Sequence, residues 1–572
     1  MDKREVVRIL EEIALLLDIQ GENPFKIKAY VNAARSIELL EGELQDYINE
    51  GTLNGVKGIG KAIAEKVTEL VETGVLEYYE ELRRSIPEGL LEMLRIPGVG
   101  PKKVKVLNEK LGVRSIGELE YACLENRLLS LEGFGEKTQE NILKGINHMK
   151  MYKGQHLFGE VYQEAMEVKD MLLAVPYVQE CEVGGSLRRR KEVVKDIDLV
   201  ASTSEPVKLM DYYTSLPSVL EVVARGETKS TVRLGSGINM DLRVVDVKEF
   251  PYALNHFTGS KEHNTAIRHR AKAMGIKVNE YGLFKGEELI PCTSEEEIYN
   301  VLGLSYIPPE LRENTGEIEA AEKGGLPELI TLEDVKGTFH MHTAYSDGSS
   351  SIEEMAEEAI RLGLHYIGIT DHSRAAYYAR GLSIEEVKRQ LEEIDEINLK
   401  NKSFRIFKGI ESDILPDGSL DYEDEVLKLF DFVIAAVHSN FKMDKGRMTE
   451  RIINSLNNKY TKILAHPTGR ILLARDEYEL EINAVIDAAA RYGKVIEINA
   501  DPHRLDLDWR YLKYAKEKGV RISINPDAHN VHGLRNLVYG VGIARKGWLE
   551  KQDVINTMDT AGIERFLKGD NS

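Results

Sequence analysis

GGSLRRRKEVVKDIDLV, residues 184–200, holds a glycine turn, three arginines and a lysine, and then Asp196 and Asp198 two apart in an apolar run. Side chains i and i+2 of a β-strand point to one side. The spacing therefore predicts both carboxylates on one face, with Ile197 and Leu199 entering a core. Two carboxylates so close repel each other unless a cation sits between them, and hard oxygen ligands beside a phosphate suit Mg²⁺ or Mn²⁺. The turn at Gly185 and Ser186 offers backbone N–H groups and a hydroxyl to a phosphate tail, with Arg188 and Arg189 at hand to neutralise it. A lone D-x-D is more often an edge strand with a solvated acidic face. The glycine turn and the basic cluster in front of this one weigh against that.

GINMDLRVV (237–245) supplies a third carboxylate: Ile238, Met240, Leu242 and Val244 alternate with Asn239, Asp241 and Arg243, which puts Asp241 on the polar face of a second strand. Three carboxylates on neighbouring strands can hold two ions for an in-line phosphoryl displacement. Together with HFTGS at 256–260, these segments resemble the nucleotidyltransferase core of the family X DNA polymerases. The resemblance implies template-directed dNTP addition, with Asp196, Asp198 and Asp241 as catalytic metal ligands and Gly185, Ser186 and Arg189 on the triphosphate. It also implies Phe257 and Gly259 along the sugar, Asn264 at the minor-groove edge of the base and Arg268 near the template. His256 stands where a tyrosine is common in eukaryotic relatives, which leaves sugar discrimination open.

At 572 residues the chain is too long for one core and should hold several domains. With 42% hydrophobic and 30% charged residues it reads as soluble and globular. Cys123, Cys181 and Cys292 are scattered, which argues against a disulfide framework or a thiolate zinc site and for a reducing, cytoplasmic setting. The start reads as a charged amphipathic helix rather than a signal peptide, and no run is long enough to span a bilayer. A formal net charge of −20 predicts only modest unspecific affinity for long duplex, with steep salt dependence.

Residues 1–90 have helical periodicity. LNGVKGIGKAIAEKVTELVETG (53–74), LRIPGVGPKKVKVLNEKLG (94–112) and LEGFGEKTQENIL (131–143) each place a G-x-G turn before a helix. Glycines admit a phosphate closely, and the helix N-terminus presents unpaired N–H groups to it. These stretches look like helix-hairpin-helix motifs, which grip a DNA backbone without reading bases. Gly58, Gly60, Gly98 and Gly100 are the candidate DNA contacts, with Gly133 and Gly135 a weaker pair. In family X this region can carry a 5′-deoxyribose-phosphate lyase that works through a Schiff base. GKAIAEKV resembles that site and puts the motif lysine at Lys66, although a surface lysine is the simpler reading.

From residue 336 onward, apolar strand candidates end in metal-ligand residues and alternate with helices: GTFHMH (337–342), HYIGITDH (365–372), FRIFKGIE (404–411), FDFVIAAVH (430–438), TKILAH (461–466), GKVIEINA (493–500) and VRISINPDAH (520–529). Strand–helix alternation predicts a parallel, barrel-like sheet, whose site collects at the C-terminal strand ends. Imidazoles with carboxylates and no thiolates suit Zn²⁺, Mn²⁺ or Fe²⁺. The H-x-H, TDH, GIE and D-A-H segments resemble the PHP (polymerase and histidinol phosphatase) phosphoesterases. The resemblance fills nine ligand positions: His340, His342, Asp347, His372, Glu411, His438, His466, Asp527 and His529. His365 reads as structural and His503 as a phosphate contact.

The expected architecture is a helical helix-hairpin-helix region, an α+β nucleotidyltransferase palm and thumb, and a distorted (β/α)7 PHP barrel. Its divisions are 1–90 (lyase-like), 91–150 (fingers-like), 151–252 (palm), 253–315 (thumb), 316–335 (linker) and 336–572 (PHP). The fusion resembles the bacterial family X polymerase with a PHP domain. It implies a monomer that fills gapped or nicked DNA in base-excision repair and trims it as a 3′–5′ exonuclease, with AP endonuclease action a further option. Two alternatives stand beside it: a small-molecule phosphatase fused to a DNA-binding module, and a non-catalytic DNA scaffold.

Overall fold

A computed structural model describes residues 3–40, 42–124, 128, 131–151, 154–376, 379–473 and 476–569. The chain forms two compact units, Met1–Lys153 and Gly154–Ser572. Among the described residues, no helix is long and apolar enough to cross a membrane.

The first unit is helical. Helices α1 (Lys3–Gln20) and α2 (Pro24–Glu38) bury Val6, Leu10, Ile13, Leu17 and Ile37. Three further helices begin at the G-x-G turns: α3 (Lys61–Thr73), α4 (Pro101–Leu111) and α5 (Glu136–Met151). The expected division near residue 90 does not separate two cores. One apolar cluster runs from Val6 to Ile146, because Ile96, Val99, Val104 and Leu107 pack with the first helices.

The second unit begins with α6 (Phe158–Leu173) and a five-stranded sheet: β1 (Val178–Val183), β2 (Asp196–Thr203), β3 (Val219–Arg225), β4 (Lys229–Leu234) and β5 (Asn239–Val245). Its order is β1-β2-β5-β4-β3, and only the β2–β5 pairing is parallel. A single turn, α7 (Gly185–Arg188), links β1 to the stretch leading into β2. HFT of 256–258 ends a helix, α8 (Phe250–Thr258). After it come α9 (Lys261–Ala273), a three-stranded sheet β6–β8 (Ile276–Asn279, Gly282–Lys285, Glu288–Ile290) and α10 (Glu295–Val301).

Charges are buried at the start of the expected linker. Glu310 and Arg312, just before it, and Glu317, within it, are buried; Arg312 Nη1 meets Glu295 Oε1 at 2.6 Å and Glu317 Oε1 lies 2.7 Å from His263 Nδ1.

All seven strands expected beyond residue 336 form, all but β11 shorter than their apolar runs: β9 (Gly337–Thr338), β10 (Tyr366–Ile369), β11 (Arg405–Asp413), β12 (Phe432–Ala436), β13 (Thr461–Leu464), β14 (Val495–Asn499) and β15 (Ile522–Asn525). They pair in parallel in chain order. A bridge between Met341 and Ala528, with His342 N donating to Ala528 O at 2.8 Å, brings the two ends together. The helix α11 (Ile352–Arg361) starts at a capping box, in which Ser351 accepts from Glu354 N.

Phe339, Tyr366, Phe407 and Phe432 fill one end of the barrel. A Cβ at Gly368 or Gly409 would lie 2.5 or 2.4 Å from the Phe432 ring, so these strand glycines make room for it. Phe432→Ala is expected to cost about 3–5 kcal/mol, read as a lower midpoint for unfolding of the barrel half in guanidinium chloride.

Candidate active sites

Alternation along β2 puts Ile197 and Leu199 at 0% exposure, and Met240 and Leu242 do the same on β5. The parallel register sets Asp198 beside Asp241 and Asp196 beside Asn239, so all three aspartates lie on one face. Burial first, then Asp196 and Asp241, push the Asp198 carboxyl up to about 6. Asp241 takes a cation and a donor from the protein: Lys229 Nζ at 2.6 Å and Thr231 Oγ1 at 2.5 Å. A carboxylate cluster whose own charge is partly uncompensated, with an ammonium drawn onto one member, fits divalent cations.

Gly184 N donates to Asp198 O at 2.7 Å, which lays the glycine turn against the carboxylates. Gly185 has φ +59°, and a Cβ there would stand 2.2 Å from Asp198 Oδ2. Only glycine permits that approach. Ser186 is half-buried. Arg189 is 8% exposed; its Nε donates to Glu313 Oε1 at 3.1 Å and its Nη1 to Thr258 O. Arg188, read from the sequence as a second phosphate neutraliser, is committed elsewhere: Nη1 donates to Thr258 Oγ1 and Nη2 to Glu295 Oε2, both at 2.6 Å.

Phe257 is half-buried under the Arg243 guanidinium, 4.1 Å from the ring centroid. Asn264 Nδ2 donates to His256 O at 2.8 Å, and Arg268 is exposed one helical turn further on. His256, Asn264 and Arg268 line one small cavity with Tyr252 and Asn279. Gly259 has φ +70° beside Arg189.

The three G-x-G turns share one geometry. Gly58, Gly98 and Gly133 have positive φ, while Gly60, Gly100 and Gly135 directly precede α3, α4 and α5. The glycines are exposed, and the residue between them is buried in each case: Ile59, Val99 and Phe134. An apolar pin thus anchors each turn with its backbone facing outward. Lys66 is half-buried on α3, with Nζ 4.8 Å from the centroid of the Tyr78 ring.

In the barrel, all nine sequence-selected ligands converge. Their ligand atoms form four overlapping groups, each within 4.8 Å: His342, Asp347, His372 and His529; His340, His466 and Asp527; His340, His342 and Glu411; His372, Glu411 and His438. Six of the nine lie just beyond strand ends. Asp347 lies in a loop after β9, His372 bridges to Glu411, and Glu411 sits inside β11 rather than at its end. Glu411 Oε1 lies 3.1 Å from His340 Nε2, 3.1 Å from His466 Nε2 and 3.3 Å from His438 Nε2, while Oε2 lies 2.8 Å from His372 Nδ1. Burial alone would raise Glu411 and Asp527, but the surrounding imidazoles hold both carboxyls well below the usual range.

His340 Nε2 and both ring nitrogens of His342 are buried without an aligned hydrogen bond. Their lone pairs point to shared centres rather than to protein donors, as metal ligands do. His340, His466 and Asp527 also have positive φ, a backbone cost that surrounding structure must support.

Sequence reading missed the groups that hold these ligands. Glu497, at 0% exposure on β14, accepts His340 Nδ1–H at 2.6 Å with Oε1 and the His466 N–H at 2.7 Å with Oε2. Asp413 pairs with His438 Nδ1 at 2.7 Å. Asp371 accepts from Thr343 N at 2.8 Å, Ser346 N at 3.1 Å and Gln390 Nε2, anchoring the turn before Asp347. The one signal available was an acid inside an apolar strand (VIEIN). His365 is exposed and precedes β10; His503 is exposed and pairs with Asp501 Oδ1 at 3.0 Å.

Residues 1–76 match the helix-hairpin-helix domain family and 90–147 the SAM-like helix-hairpin-helix tandem. Residues 253–313 match the DNA polymerase beta thumb and 338–501 the PHP domain. A DNA polymerase/3′-5′ exonuclease PolX from Bacillus subtilis is 39% identical over 99% of this chain and 100% of its own length. The chain belongs to the family X DNA polymerases. It carries the PHP domain of the bacterial PolX type. A repair DNA polymerase X of African swine fever virus is 34% identical over 22% of this chain and 78% of its own length. A Thermoanaerobacter protein named "probable phosphatase" is 32% identical over 40% of this chain and 93% of its own length.

Glu497→Gln removes the charge that orients His340. It is expected to weaken metal retention at the PHP cluster by about 10–100-fold, measured as metal content by mass spectrometry after dialysis against graded chelator.

Proposed function

We propose that this family X polymerase fills short gaps in DNA and trims 3′ ends with its PHP barrel, as a cytoplasmic monomer in base-excision repair. The observation that carries the reading is the pair of separate ligand sets, acidic on β2 and β5 and mainly imidazole at the barrel rim, within a chain similar along its whole length to one named for both activities.

Asp196, Asp198 and Asp241 would hold Mg²⁺ or Mn²⁺, which lowers the cost of deprotonating a primer 3′-OH and steadies the departing pyrophosphate. Ser186 and the turn at Gly185 take the triphosphate through hydroxyl and backbone donors. Arg189 adds Nη2, the guanidinium nitrogen without a protein acceptor among the described residues. Phe257 and Gly259 flank the sugar, while Asn264 and Arg268 face the base and template side. The exposed turns at Gly58, Gly60, Gly98, Gly100, Gly133 and Gly135 hold the sugar-phosphate backbone on either side of a gap. Exposed Lys57, Lys61, Lys102 and Lys137 beside these turns supply local positive charge despite the acidic total.

At the barrel, the nine ligands would hold a cluster of Zn²⁺, Mn²⁺ or Fe²⁺ that activates water against a phosphodiester. Glu497 and Asp413 hold the imidazoles in register for it. The same cluster would serve AP-site cleavage. Similarity to named phosphatases supports phosphomonoester hydrolysis as a second reading for the barrel taken alone. Lys66 is the residue proposed for 5′-deoxyribose-phosphate lyase action, supported by its half-buried place on a helix that starts at an exposed G-x-G turn.

On a gapped, end-labelled duplex with Mn²⁺, Asp196→Ala with Asp198→Ala is expected to abolish extension and spare shortening. His340→Ala with His342→Ala is expected to do the reverse; loss of both activities in either variant would refute independent sites. For the lyase, borohydride should trap the wild-type chain on 5′-incised abasic DNA, and Lys66→Ala should lose at least about tenfold of that adduct.

A further inference from the structure

The phosphate-facing turn of the polymerase half is gripped from the barrel half. A helix beside the barrel, α12 (Leu537–Lys546), ends in a lysine that is 1% exposed. Lys546 Nζ lies 2.5 Å from Glu313 Oε1 and donates to the main-chain carbonyl of Arg189 at 3.0 Å. That same Oε1 accepts from Arg189 Nε at 3.1 Å, and Glu313 Oε2 lies 3.8 Å from Lys191 Nζ. One buried carboxylate therefore serves three cations, two from the turn and one from the barrel half.

A lysine is almost never fully buried unless paired, and burying a charge pair is a poor way simply to glue two surfaces. Burial pushes the Lys546 ammonium down, and Glu313 pulls against that shift. For Glu313 burial acts upward, while Lys546 and then Arg189 hold the carboxyl below its usual range. Lys546 thus shares the carboxylate that would otherwise fall to Arg189 and its neighbour Lys191.

We propose that Lys546 is a positioning residue for nucleotide addition: by sharing Glu313 and fixing the Arg189 carbonyl, it keeps the Arg189 guanidinium available to the triphosphate of an incoming dNTP. Without the ammonium, Glu313 competes with the triphosphate for Arg189 in a low-dielectric pocket. The barrel half is then a working part of the polymerase site as well as the carrier of its own. This inference rests on the polymerase reading above.

The test uses the full-length protein on a one-nucleotide gapped duplex, with Lys546→Met, Lys546→Arg and the double variant Lys546→Met with Glu313→Gln. Lys546→Met is expected to raise the KM for dNTP about tenfold and leave kcat and the exonuclease rate on the same DNA within about twofold. Inhibition by inorganic tripolyphosphate should weaken in parallel, while the Kd for gapped DNA stays put. Lys546→Arg should keep the wild-type KM. Glu313→Gln in the Lys546→Met background should bring the KM back, because the competing carboxylate is gone. An unchanged KM in Lys546→Met, a joint fall of polymerase and exonuclease rates, or no recovery in the double variant would each overturn the proposal. A wild-type protein that adds no nucleotide would instead overturn the polymerase reading itself.

Discussion

Parallel strand pairing is the constraint on which both sites depend. In the five-stranded sheet it occurs once, between β2 and β5, and that register sets Asp198 beside Asp241. In the barrel it occurs between every neighbouring pair and brings most of the ligands to one rim. Parallel neighbours run in one direction, so functional groups placed at successive strand ends meet whatever the sequence distance between them. His340 and Asp527 are 187 positions apart in the numbering and still fall in one ligand group.

A second theme is the number of buried charges outside the metal-ligand sets. Arg312 and Arg188 meet on Glu295, Arg189 and Lys546 meet on Glu313, and Arg470 pairs with Asp508 at 2.5 Å while approaching Glu192 at 3.7 Å. Such pairs add little net stability against apolar packing of the same volume. They do fix distances, since a displaced partner leaves an uncompensated charge in low dielectric. The glycine turn of 184–190 is the common party to several of them, which ties its backbone to the thumb-like region and to the barrel half together.

Elsewhere the backbone carries local cost at functional positions. Gly185 admits Asp198 only because it has no side chain. His340, His466 and Asp527 adopt positive φ without that freedom. The surrounding hydrogen bonds, those of Glu497 above all, hold two of these three in place.

Much of this was legible in the residues themselves, for local reasons. Alternation put Ile197, Leu199, Met240 and Leu242 in a core and the three aspartates outside it. Apolar runs, five of the seven ending in histidine, located the seven strands and every ligand but Asp347. Composition records polarity, not partners: Ile96 and Val99 belong to the same apolar cluster as the first helices, and Glu310 and Arg312, just before the expected linker, and Glu317, within it, are buried beside counter-charges. Nor could spacing reveal that Arg188 belongs to Glu295, that Glu497 steadies His340 and His466, or that Lys546 reaches Arg189. Each of those pairings spans between 31 and 357 positions. The sequence alone determined which side chains face a core and which lie at strand ends, because periodicity is a property of neighbours along the chain. Which charges neutralise one another was decided only by the tertiary structure, because a Coulomb partner is chosen by distance in space.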